Sequence, residues 1–131
     1  MPRFRLHHIS LYVRDVDVSA VFYRTVLGLS EIPNRVGKAH IRWFTIDDFR
    51  TVHLTSGDQE GERPRQFATH VALATQEFDK VLSQLQQHGV TFESVTRKPG
   101  PVTTRSDGVR QAYFQDPDGH WIEVNDADSE P

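Results

Sequence analysis

The chain has 131 residues, 37% apolar and 25% charged, with a formal net charge of −3 and no cysteine. That length suits one domain with its own core, and that balance excludes a disordered polyelectrolyte. The missing cysteines exclude a disulfide framework, thiolate metal ligands and a cysteine nucleophile. No apolar run is long enough to span a membrane, and the opening MPRFRLHH lacks the apolar stretch of a secretory signal. The weak negative charge offers no general pull toward nucleic acid, so a cytoplasmic location and a small-molecule or protein partner are the expectations.

LHHISLYV (6–13) is β-branched and aromatic enough for a strand. The polar stretch RDVD follows, then a helical pattern from Val18 to Leu27, with Asp17 as the expected N-cap and Gly28 as the stop. LSEIPNRV (29–36), HIRWFTID (40–47) and TVHLTSG (51–57) read as three further strands, so this half is βαβββ. DQEGERPRQ (58–66) has no apolar residue and reads as an exposed connection. The pattern then restarts. FATHVALAT (67–75) is a strand, and EFDKVLSQLQQHG (77–89) is an amphipathic helix ended by Gly89. TFESVTRK, VRQAYFQ and HWIEVND are three more strands, the last two joined by DPDG (116–119), which has the Pro and Gly placement of a type I turn. The organisation expected is a single domain over 1–131, with module one at 4–57, a connection at 58–66, module two at 67–126 and a tail at 127–131. Twenty residues separate His8 from Gly28 and nineteen separate His70 from Gly89, which supports a duplication.

Side chains alternate across a strand, so His8, Ser10 and Tyr12 share one face while Ile9, Leu11 and Val13 share the other. His53 lies between Val52 and Leu54, His70 precedes Val71, and Glu123 lies between Ile122 and Val124. Each half thereby offers one residue from its first strand and one from its last on the polar face. A lone strand histidine is more often a partly exposed polar residue than a ligand. The paired placement favours a site in which His8, His53, His70 and Glu123 hold one divalent metal ion. Three imidazoles and a carboxylate suit Zn, Ni, Co, Fe or Mn better than Ca or Mg, and leave room for substrate on an octahedral ion. His7 on the helix side, His40, His88 and His120 read as structural. Phe22, Tyr23, Trp43, Phe44, Phe78 and Phe114 read as core, with Tyr12, Tyr113 and Trp121 available to line a pocket.

HHISLYVRDVDVSAVFYRTVLGL resembles the opening strand and helix of the vicinal oxygen chelate superfamily, and ATHVALAT, FDKVLSQLQQHGV and FQDPDGHWIEV are similar to its second half. That superfamily includes glyoxalase I, bleomycin-resistance proteins, fosfomycin-modifying thiol transferases, methylmalonyl-CoA epimerase and extradiol dioxygenases. The resemblance implies an α+β fold of two paired βαβββ modules, forming a curled eight-stranded sheet around a metal cavity. It also implies a substrate that chelates the metal through neighbouring oxygens, and a homodimer in which ligands from two chains often meet. By position, His8 matches the first-strand ligand, His70 the second-module histidine and Glu123 the closing glutamate. His53 matches the fourth ligand of the isomerase branch, where glyoxalase I usually has glutamate and the epimerase glutamine. The activity implied is that of a metal-dependent lyase or isomerase similar to glyoxalase I, acting on a small substrate such as a thiol conjugate. Glu123 would move a proton between adjacent carbons. The alternatives are a metallo-thiol transferase or an extradiol dioxygenase, whose triads are two His and one Glu, and a metal-free drug-binding protein.

Overall fold

A computed structural model describes residues 2–57 and 65–127. The chain divides into two compact units, Met1–Gly61 and Glu62–Pro131. In the first, β1 (His8–Tyr12), α1 (Val16–Thr25), β2 (Glu31–Ile32), β3 (Ile41–Thr45) and β4 (Thr51–Thr55) follow in order. In the second the succession is β5 (His70–Ala74), α2 (Phe78–Gln87), β6 (Thr103–Thr104), β7 (Arg110–Gln115) and β8 (Trp121–Asn125). The described strands form two four-stranded sheets, in the orders β1-β4-β3-β2 and β5-β8-β7-β6. The fold is α+β, βαβββ twice over, and neither sheet closes on itself. In both sheets the first strand runs parallel to the last, and the remaining pairs are antiparallel.

The register repeats as well as the order. His8 pairs with Thr51 in the first sheet and His70 with Trp121 in the second, so the third residues of β4 and β8, His53 and Glu123, occupy corresponding places. Trp43 stands opposite His53 on β3, as Tyr113 stands opposite Glu123 on β7.

The alternation seen in the sequence sets which face is buried. Phe44, Val52 and Leu54 on the first sheet are buried, as are Ala20, Phe22 and Tyr23 of α1. The second unit buries Ala112, Phe114, Ile122 and Val124 with Phe78 and Leu85 of α2. Each large apolar side chain withdrawn from water in this way contributes about 1.5–3 kcal/mol.

Several expectations need correction. Helix one begins two residues early because Asp15, in extended backbone (φ −136°), caps it by accepting from the Asp17 and Val18 N–H groups. Asp17 is instead an acidic residue of the first turn. The strand expected over 29–36 shrinks to Glu31–Ile32, ending where Pro33 cannot donate to a ladder. TFESVTRK forms no strand: only Glu93 bridges, to Tyr113 and Pro99, and Ser94 and Thr96 turn the chain through their own hydroxyls. Arg97 follows with a positive φ of 59°, and the edge strand forms later, at Thr103–Thr104. His7 is exposed and not under a helix; it touches His8 and the Phe49 ring. Trp43, expected in the core, lies on the His53 face, while the other five aromatic residues named with it are buried. Residues 58–64 of the expected connection and 128–131 of the expected tail lie outside the described residues.

Candidate metal centre

In the second unit β8 carries Glu123 and β5 carries His70 on the same face, and the side chains meet: His70 Nε2 is 3.1 Å from Glu123 Oε1. His70 Nδ1 lies 3.0 Å from the Phe67 carbonyl oxygen, which can only accept, so Nδ1 carries the ring proton. Nε2 then presents a lone pair to a carboxylate oxygen. Two electron-pair donors at that distance need a cation between them, either a proton, on the imidazole or on the carboxyl, or a metal ion. A metal-ligating histidine characteristically has its other nitrogen on a carbonyl or carboxylate, as His70 does.

Glu123 is only 5% exposed. Its second oxygen, Oε2, accepts from Gln111 Nε2 at 3.1 Å and from Asn125 Nδ2 at 2.7 Å. Both amides sit on this face by the alternation that places Glu123 there. Burial, then the Glu123 charge and a hydrogen bond with Glu123, push the Tyr113 phenol up to about 12, so it stays protonated at neutral pH. Phe67 packs against Tyr113 and Trp121, with ring centroids 4.7 and 4.9 Å away, and forms an aromatic wall beside the carboxylate.

In the first unit the His53 ring is sandwiched between Trp43, at 4.3 Å and 5° between planes, and His8, at 4.0 Å and 11°. His8 Nδ1 is 2.8 Å from His7 Nδ1, and Thr51 Oγ1 is 3.0 Å from His53 Nε2. Burial, then the neighbouring His8 and His7 charges, hold the His53 imidazole below its ordinary value. An imidazole binds a metal along a lone pair in its ring plane, at about 2.0–2.1 Å for Zn. Nearly parallel stacked planes do not share such a point, so one ring must turn before His8 and His53 can hold the same ion. Trp43 Nε1 is buried and, among the described residues, has no hydrogen-bond partner.

The structure therefore brings His70 to Glu123 and His8 to His53. Within neither unit do three or more potential ligands gather among the described residues. The donor set nevertheless fits a borderline transition metal, because His70 and Glu123 already offer it a nitrogen and an oxygen. Gln111 and Asn125 were not singled out from the sequence, although the strand alternation around Glu123 carried the signal for both.

The family model for the Glyoxalase/Bleomycin resistance protein/Dioxygenase superfamily matches residues 5–124. The chain belongs to this superfamily. Among curated members, it is 30% identical to the lactoylglutathione lyase of Salmonella typhimurium, over 94% of this chain and 93% of the relative. It is 29% identical to the glutathione transferase FosA of Serratia marcescens, over 92% of this chain and 79% of the relative. Among solved structures, the oxidase ChaP-H2 superposes with a TM-score of 0.78 at 26% identity, covering 95% of this chain and 94% of the other. The superfamily thus spans glyoxalases, thiol transferases and oxidases acting on small molecules. Among the described residues, no helix is long and apolar enough to cross a membrane.

Proposed function

We propose that this protein is a metal-dependent lyase or isomerase similar to glyoxalase I, acting on a small substrate that presents neighbouring oxygens. The observation that carries this reading is the meeting of His70 Nε2 with Glu123 Oε1 at 3.1 Å while His70 Nδ1 is held by the Phe67 carbonyl, in a face whose register is duplicated by His8 and His53. His8, His53, His70 and Glu123 would hold the metal, collected within one chain or between two copies in a homodimer. When bound, the metal supplies Lewis-acid polarisation of the substrate oxygens.

The protein's own residues do the rest. Glu123 Oε1, once its hold on the metal loosens as substrate arrives, would take the proton from one substrate carbon and return it to the next, while Oε2 stays fixed by Gln111 and Asn125. Tyr113, held protonated, hydrogen-bonds Glu123 and limits its movement. Phe67 and Trp121 supply an apolar surface that excludes water from the transferring proton. The likeness to a lactoylglutathione lyase over nearly the full length of both chains supports a thiol conjugate as the first substrate class to test.

A second reading rests on the His53 sandwich. If His53 stays stacked between Trp43 and His8, the ligands reduce to His8, His70 and Glu123, a two-His, one-Glu set that leaves more of the ion open. That set favours thiol transfer or dioxygenation, and the likenesses to FosA and to the oxidase ChaP-H2 support the same side. Elemental analysis of protein purified without metal-affinity resin comes first, followed by turnover of a glutathione hemithioacetal, of fosfomycin with a thiol, and of a catechol. Hemithioacetal turnover that His53→Ala abolishes supports the lyase. Catechol or fosfomycin turnover that survives His53→Ala overturns it in favour of the three-ligand reading.

A further inference from the structure

Glu123 has two oxygens, and the structure treats them differently. Oε2 accepts two amide hydrogens, from Gln111 Nε2 at 3.1 Å and Asn125 Nδ2 at 2.7 Å, whereas Oε1 faces the His70 ring nitrogen at 3.1 Å, with the Tyr113 phenol also hydrogen-bonded to the carboxylate. Both donors reach the carboxylate from inside the sheet. Asn125 is two residues further along the same strand, and Gln111 comes from the neighbouring strand, where it pairs with Asn125. All three are buried, so water does not compete for the oxygen they share. The corresponding places in the first sheet hold Ile41 and Thr55, which have no amide to offer, so the arrangement belongs to the carboxylate and not to the duplicated fold.

We infer that Gln111 and Asn125 are positioning residues that reserve Oε2 and so force Glu123 to bind its metal through Oε1 alone. The inference rests on the ligand role proposed for Glu123. Its consequence is a coordination number. If the ligands are the three imidazoles proposed above and a one-atom carboxylate, an octahedral ion would keep two positions, as many as two neighbouring substrate oxygens need. A carboxylate that closed onto the ion through both oxygens would take one of them. Swinging Oε2 onto the metal means breaking two buried hydrogen bonds and leaving two amide groups unsatisfied, which opposes the closure.

The test is an infrared difference spectrum of metal-loaded minus metal-free protein, with Glu123→Gln at saturating metal as the blank. The gap between the antisymmetric and symmetric carboxylate stretches is wide for one-oxygen binding and narrow for two. The wild type is expected to show a wide gap, and Gln111→Met, which keeps length but not the N–H groups, a narrow one. Gln111→Met should also weaken binding of acetohydroxamate, a two-oxygen chelator, to the loaded protein by roughly 10–100-fold, the scale of lost support behind a ligand. Azide, which needs one position, should bind as before. A narrow gap in the wild type, or an unchanged gap and unchanged acetohydroxamate binding in Gln111→Met and Asn125→Ala, overturns the inference. The wild-type measurement decides even if both variants fail to fold. If Glu123→Gln leaves metal affinity at the wild-type level, Glu123 is no ligand and the proposed function fails with the inference, a result distinct from a ligand that binds through both oxygens.

Discussion

At the scale of single residues, the contact between His70 and Glu123 has an energetic signature. Replacing Glu123 by Gln keeps an oxygen for Gln111 and Asn125 and turns an amide N–H toward His70 Nε2. Metal-free Glu123→Gln is therefore expected to be as stable as the wild type or more stable at pH 8, by up to about 1 kcal/mol for the hydrogen bond formed, as read by urea unfolding. A loss of more than that would mean the pair is held as imidazolium and carboxylate. The same variant should bind metal weakly and, at saturating metal, transfer protons roughly 10²–10⁴-fold more slowly. His53 gives a second signature. Its pKa is depressed by burial first and then by the His8 and His7 charges, so the unfolded chain binds its proton more readily than the folded one. Stability from this group is present above the ordinary 6.5 and is lost as pH falls through the lower folded value. Urea midpoints of the metal-free protein should fall on acidification across that window, and His53→Asn should flatten the dependence. The strand face on which each of His8, His53, His70 and Glu123 lies was readable because strand alternation is strict. Trp43 was misassigned to the core, since its side of the sheet follows only from pairing opposite His53, which β3 alone does not reveal.

At the scale of elements, the cap of α1 separates two aspartates that look alike in sequence. Asp15→Ala removes the acceptor for the Asp17 and Val18 N–H groups and is expected to cost about 0.5–2 kcal/mol. Asp17→Ala, which loses an exposed ion pair with Arg42, should cost less than about 1 kcal/mol. Thermal unfolding of the two variants side by side checks the order. Both helices and six of the strands were legible within a few residues, because their apolar faces repeat with a clear period and Gly28 and Gly89 stop the helices at φ +71° and +69°. The two short edge strands were not. Pro33 cuts one short, and in 91–98 the side-chain hydrogen bonds of Ser94 and Thr96 offer the backbone a turn that β-branched composition conceals.

At the scale of the molecule, the proposed metal, if it takes ligands from both units, would tie their stabilities together. Adding it at a hundred times its dissociation constant should stabilise the folded protein by about 2.7 kcal/mol. Calorimetry is expected to show one sharpened transition with metal present, reversed by a chelator. If the metal raised the stability of one unit and left the other melting unchanged, the ion would be held by that unit alone. The strand orders also bear on how the protein is made. In each sheet the strand synthesised last, β4 or β8, takes an inner place between the first and third strands. With synthesis at about 5–20 residues per second, roughly two to nine seconds pass between the emergence of His8 and that of Thr51, its partner in the register. Over that interval β1 has no neighbour, and the same wait recurs between β5 and β8. The nascent chain therefore presents an open slot in each half, shaped to accept a strand, and slowing translation just before Thr51 or Trp121 should lengthen the time each slot stands open to a foreign one.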